Sequence, residues 1–164
     1  GETNMNAINR HHPSTPQTLA QVTPNQRLFL FAMRSWLENK SDKVELSNFL
    51  FSIYGIYYVE SAFKAFEVLM TTLNSCSRST FHLHHSKCIK ISTDEMSVLR
   101  LLSLMQANQF QSADELALEM VTTEGTNYIL DATSMLAEAL DARSIIFSAR
   151  ENSELALMSV VGSA

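Results

Sequence analysis

The chain has 164 residues, 46% of them apolar and 18% charged, with a net charge of −5. A chain of that length suits one domain that buries roughly 70% of its unfolded surface, so neither a disulfide framework nor a metal is needed to hold it together. The acidic balance argues against a general polyanion binder, whose affinity begins with a basic face, while the low charge density leaves room for apolar surface covered by a second subunit.

Two cysteines in a chain that needs no staples fit a reducing compartment. No run approaches the roughly eighteen apolar residues of a membrane span, and the first residues lack the charged-then-apolar order of a signal peptide. A cytoplasmic protein without membrane contact is the resulting expectation.

Residues 1–22, with His11-His12-Pro13 and Pro16 among Asn, Gln and Thr, show no helical or strand period and read as an extended arm. If ordered, such an arm lies on a partner or across its own helices, because polar residues alone do not offset the entropy of being fixed. Thr23-Pro24 then opens helix one: threonine caps the free amides, and proline at the first position loses nothing by lacking its own. Through Asn39 the apolar residues Leu28 to Leu37 wrap over half the cylinder, leaving Arg27, Arg34 and Glu38 as a narrow polar stripe at heptad spacing. A helix of that girth belongs at the centre of a core or of a dimer.

Ser41-Asp42 supplies the next cap, and Val44, Leu46, Phe49, Leu50, Ile53 and Tyr54 predict a second helix stopping near Gly55. A third, from Tyr57 to Asn74, has the clearest face, with Ala62, Phe66, Leu69 and Leu73 opposite Glu60, Lys64, Glu67 and Thr71. The connector 75–92 follows. Phe81 to His85 and Cys88 to Ser92 alternate like two short strands around Ser86-Lys87, which predicts a hairpin-like or irregular link.

Thr93-Asp94-Glu95 opens helix four, to Asn108, with the acidic residues suiting the helix dipole. Ser112 is read as the cap of a short helix five through Val121. The chain is expected to turn around Glu124-Gly125-Thr126, and helix six runs from Asn127 to Ala142. Residues 143–164 form a tail in which Ile145-Ile146-Phe147 is apolar enough to dock and Glu154 to Val161 suggest one further element. The fold class is all-α: a single-domain bundle of about six helices over residues 23–142, interrupted by the connector.

The connector is the one place where chemistry gathers. It holds both cysteines and three of the five histidines, Cys76, His82, His84, His85 and Cys88. These are the ligand types of a structural zinc site, which needs four of them converging at about 2.0–2.3 Å, but the spacings match no established finger. A Cys76–Cys88 disulfide and two free thiols are the competing readings. No glycine-rich phosphate loop, no His-Glu-x-x-His and no glycine-flanked serine appears, and carboxylates such as Asp131 and Glu138 sit on polar helix faces. Helices four and five imitate a helix-turn-helix, yet the second carries Asp114, Glu115 and Glu119 and no basic residue, which repels phosphate.

His84-x3-Cys88, then Ser92-x-Asp94-Glu95 opening a Leu-rich helix, together with Ala65-Phe66-Glu67, resembles a group of small bacterial helical proteins. The resemblance covers the middle hundred residues or so and implies an all-helical fold without a particular activity. In that group a second cysteine tends to stand two residues after the first, where this chain has Lys90. The function expected from all of this is a non-enzymatic helical interaction domain, self-associating as a homo-oligomer, with no cofactor, nucleic acid or membrane partner. The alternative is a zinc-binding regulatory protein built on the connector.

Overall fold

Thr23 starts the first helix as its sequence predicts. Its Oγ1 accepts from Gln26 N at 3.2 Å while Gln26 Oε1 accepts from Thr23 N at 2.8 Å, a reciprocal capping box ahead of Pro24. In the computed structural model, which describes residues 15–39 and 42–147, this helix is α1 (Pro24–Glu38). It is followed by α2 (Val44–Cys76), α3 (Thr93–Gln106), α4 (Phe110–Met120) and α5 (Thr123–Ala142). The all-α class and the single domain hold, with five helices where six were expected.

The difference lies at Gly55. The second and third expected helices run as one element, broken where Gly55 takes φ 72° and ψ 176°. That conformation is open essentially to glycine alone, so the local signal for a stop was sound while the chain resumes helix at once. The N-cap of α2 is Lys43, which has no side-chain cap bond, and Asp42, one residue earlier than a cap stands, accepts from Val44 N through its Oδ1 at 3.0 Å; Ser41 lies outside the described residues, as do His11 and His12 and the Glu154 to Val161 stretch.

Two further boundaries move. Helix α4 begins at Phe110, before Ser112, because α3 closes in a Schellman turn: Asn108 adopts φ 57°, and Gln109 N reaches back to Leu104 O at 2.9 Å. The new helix therefore starts at once. Helix α5 begins at Thr123, so Gly125 is inside its first turns and is not a turn residue. Its hydrogen is a packing requirement, since a Cβ there would lie 2.7 Å from Cys76 Cβ and 3.2 Å from Thr72 Cγ2. The same Schellman geometry ends α5, with Ser144 at φ 57° and Ile145 N on Leu140 O at 2.9 Å.

The core lies where α2 packs between α1 and α5, with α3 and α4 closing the far side. Phe29 is its hub, edge-on to Phe66 with centroids 5.4 Å apart and to Phe147 at 5.7 Å. The tail does dock as far as Phe147, which is buried; its N–H donates to Gln106 Oε1 at 2.8 Å and its carbonyl accepts from Gln26 Nε2. Trp36 is buried too, so α1 takes the core role of the two its girth allowed.

Candidate functional site

The connector is built from the polar stripe of α1. Arg27, Arg34 and Glu38 recur every four or seven residues and therefore share a face, but that face is turned to the protein's own chain. Arg27 Nη1 donates to Leu19 O and Val22 O at 3.1 and 3.0 Å, holding the end of the N-terminal arm. Glu38 Oε1 accepts from Ser86 N at 2.8 Å at the tip of the connector. Between them Arg34 is fully buried and pairs with the equally buried Glu95 of α3, Nε to Oε2 at 2.7 Å and Nη2 to Oε1 at 3.0 Å.

The remaining donors of that guanidinium determine the connector's shape. Arg34 Nη1 reaches Cys88 O and Nη2 reaches Lys90 O, each at 2.8 Å. Alternate carbonyls along one edge of an extended segment are thus satisfied by a side chain in place of a neighbouring strand. The opposite edge pairs with the arm, Leu19 N to Ile89 O and Ile91 N to Gln17 O, both at 2.8 Å. The hairpin alternative therefore does not form. Ser86-Lys87 does turn, with Cys88 N on His85 O at 2.9 Å, but beyond that turn bond, residues 88–91 pair with Arg34 and the arm and form no ladder with residues 81–85.

Glu95 has more to do than complement a dipole. It is the fourth residue of a capping box, accepting from Ser92 N at 2.9 Å while Ser92 Oγ accepts from Glu95 N at 3.0 Å. Ser92 Oγ also donates to His82 O at 2.6 Å, and Asp94 Oδ2 accepts from His82 N at 2.7 Å. The connector's other end is fixed by Thr122 N on Cys76 O at 2.8 Å and Arg78 N on Met120 O at 3.1 Å.

These contacts show how the candidate ligands are used. His82 enters the network through its backbone, and His84 is half-buried. His85 is exposed, its Nε2 3.7 Å from Glu38 Oε1. Cys76 packs against Gly125 at the end of α2, whereas Cys88 offers its carbonyl to Arg34 of α1. Both thiols are free, and among the described residues no three His, Cys, Asp or Glu side chains converge as metal ligands.

Residue type singles out the connector and not the exposed surface of α2. Ile56 and Tyr57, just past the Gly55 break, are 70% and 91% exposed, and Tyr58 is 37% exposed. Two open grooves border this helix. One, of about 380 Å³, is lined by Val68, Thr71, Ser75 and Cys76 of α2 and by Tyr128 of α5. The other, of about 430 Å³, spans the break between Phe51 on one side and Val59 and Phe63 on the other, with Glu60 and Lys64 on its rim. The available signal was Ile56-Tyr57-Tyr58 itself, an apolar triplet beside a glycine. No family model, curated protein or solved structure matches the chain. Among the described residues no helix is long and apolar enough to cross a membrane.

Proposed function

We propose that this chain is a non-enzymatic helical interaction domain that self-associates. The observation that supports the reading is the consecutive exposure of Ile56, Tyr57 and Tyr58. Single exposed apolar residues are ordinary on a protein surface, but three in a row with no core to enter mark a surface intended for contact. The buried polar groups support the same reading: Arg34, Glu95 and Ser92 are engaged in fixing the connector. They serve to hold a scaffold rigid. Light scattering on the purified protein tests the proposal, with a mass of twice the 18.4 kDa chain expected at micromolar concentration. A single-chain mass persisting to about 100 μM, where even weak specific dimers form, would refute it.

A further inference from the structure

We propose that the contact is an antiparallel pairing of α2 with α2 of a second copy, in which Tyr57 of each copy enters the groove beside Val68 and Tyr128 of the other. The inference rests on the self-association reading and assigns its surface. Tyr57, Glu60, Lys64, Val68 and Thr71 follow one another at three- and four-residue steps, so they form one stripe along the helix after the break. At one end of the stripe stands a projecting side chain, Tyr57, 91% exposed. At the other is a groove of about 380 Å³, lined by Val68, Thr71 and Tyr128.

A contact between identical copies requires a surface that complements itself under two-fold rotation. The stripe meets that requirement at two centres half a residue apart, about 0.75 Å along the helix, close enough for one axis to serve both. Tyr57 and Val68 are equidistant from a point just past Ala62, and Glu60 and Lys64 are equidistant from Ala62 itself. An axis there that brings Tyr57 to the groove of the second copy also sets each Glu60 carboxylate against the other copy's Lys64 ammonium. Within one chain these two groups stand 3.7 Å apart with 87% and 76% of their side chains exposed, so they are accessible for exchange between copies.

The area is that of a small interface. With about 200 Å² for a fully exposed large apolar side chain, the exposed parts of Tyr57, Val68 and Tyr128 offer roughly 400 Å² of apolar surface per copy, to which the exposed Glu60, Lys64 and Thr71 add polar area. Pairing two copies removes roughly 800 Å² of apolar surface, and the polar residues of the stripe bring the total to about 1,000 Å², the small end of specific interfaces. The groove across the Gly55 break, with Phe51 in its wall, is the competing surface; it shares Glu60 and Lys64 with the stripe but lacks a projecting residue related to it by the same axis.

The test is sedimentation velocity on the full chain and four variants from about 1 to 100 μM, with circular dichroism confirming the fold of each. All four positions are on the exposed surface of the helix. Tyr57→Asp is expected to weaken the dimer at least about 100-fold, as loss of a central aromatic anchor does. Lys64→Glu sets like charges together and is expected to weaken it about 10-fold, and adding Glu60→Lys to the same chain restores the pairing to within about 3-fold. Phe51→Asp, on the other side of the Gly55 break from the stripe, leaves the dissociation constant unchanged. A dimer that survives Tyr57→Asp, or one that the double charge exchange fails to restore, overturns the assignment while self-association stands. A wild-type chain that is monomeric throughout overturns both.

Discussion

Replacing Arg34 by methionine isolates the interaction that joins α1, the connector and α3. The substitution keeps most of the side chain's length and removes a bidentate ion pair to Glu95 together with the donors to Cys88 O and Lys90 O. What it leaves is a carboxylate with no exposed surface and no cation, and breaking one side of a buried pair typically costs about 3–5 kcal/mol. Against a total stability of roughly 5–15 kcal/mol, that is a large share, and for a chain of this size it corresponds to a fall of roughly 6–20 °C in Tm. Urea denaturation followed by circular dichroism measures it. The companion variant adds Glu95→Gln, which keeps an acceptor for Ser92 N and discharges the buried group. The double variant is expected to be more stable than Arg34→Met alone, because an unpaired buried charge costs more than a neutral amide. Hydrogen exchange supplies the local readout: the amides of Leu19 and Ile91, which pair the arm with the connector, lose protection along with the clamp. A loss below about 1 kcal/mol, the range of exposed pairs, or a double variant no better than the single, would refute the reasoning.

Three other expectations concern single positions. Gly125→Ala, which on an exposed helix gains about 0.5–1 kcal/mol, is expected here to cost about 1–3 kcal/mol, since the new methyl meets Cys76 Cβ at 2.7 Å; a thermal melt showing stabilisation would contradict the close approach of α5 to α2. Ser144→Gly is expected to stabilise by roughly 0.5–1 kcal/mol, because Ser144 takes φ 57° at an exposed helix end where only glycine avoids strain, and an unchanged Tm would count against that strain. Burial pushes the Tyr54 phenol well above its ordinary value, and its hydroxyl has no hydrogen-bond partner among the described residues. The unfolded phenol therefore releases its proton near pH 10 while the folded one keeps it. Stability is fully present below that pH and falls above it by up to about 1.4 kcal/mol per pH unit from this group. Tyr54→Phe is expected to be neutral or stabilising at pH 7 and to flatten that decline, and urea melts of both proteins at pH 9 and 11 compare the slopes; equal slopes would rule Tyr54 out as the source.

Much of the helical layout is local physics and could be read directly. Thr23-Pro24 starts α1 because capping and the missing proline amide act within one turn. Gly55 marks a break because only glycine tolerates its backbone angles, which holds whether the helix stops there or resumes. The all-α class follows from apolar spacing. Gly125, by contrast, reads as a turn residue because a glycine has the same local signature in a turn and in a close helix contact. Only Cys76, forty-nine residues away, distinguishes the two. Ser112 was read as a cap because nothing local reveals that Asn108 has already closed α3.

The site divides in the same way. Residue type alone drew attention to Cys76, His82, His84, His85 and Cys88, but type does not say whether a side chain or its backbone is used, and the network takes the backbone of His82 and the carbonyl of Cys88. Periodicity correctly placed Arg27, Arg34 and Glu38 on one polar stripe. It could not say what the stripe faces, because a charged group solvated by water and one solvated by carbonyls and a carboxylate have the same spacing in a sequence. The sequence by itself therefore determined the all-α class, the Thr23 cap and the break at Gly55, whose causes lie within a few residues. Tertiary structure alone decided that Arg34 is buried against Glu95 and that Tyr57 is left exposed, since each depends on which distant element occupies the space beside it.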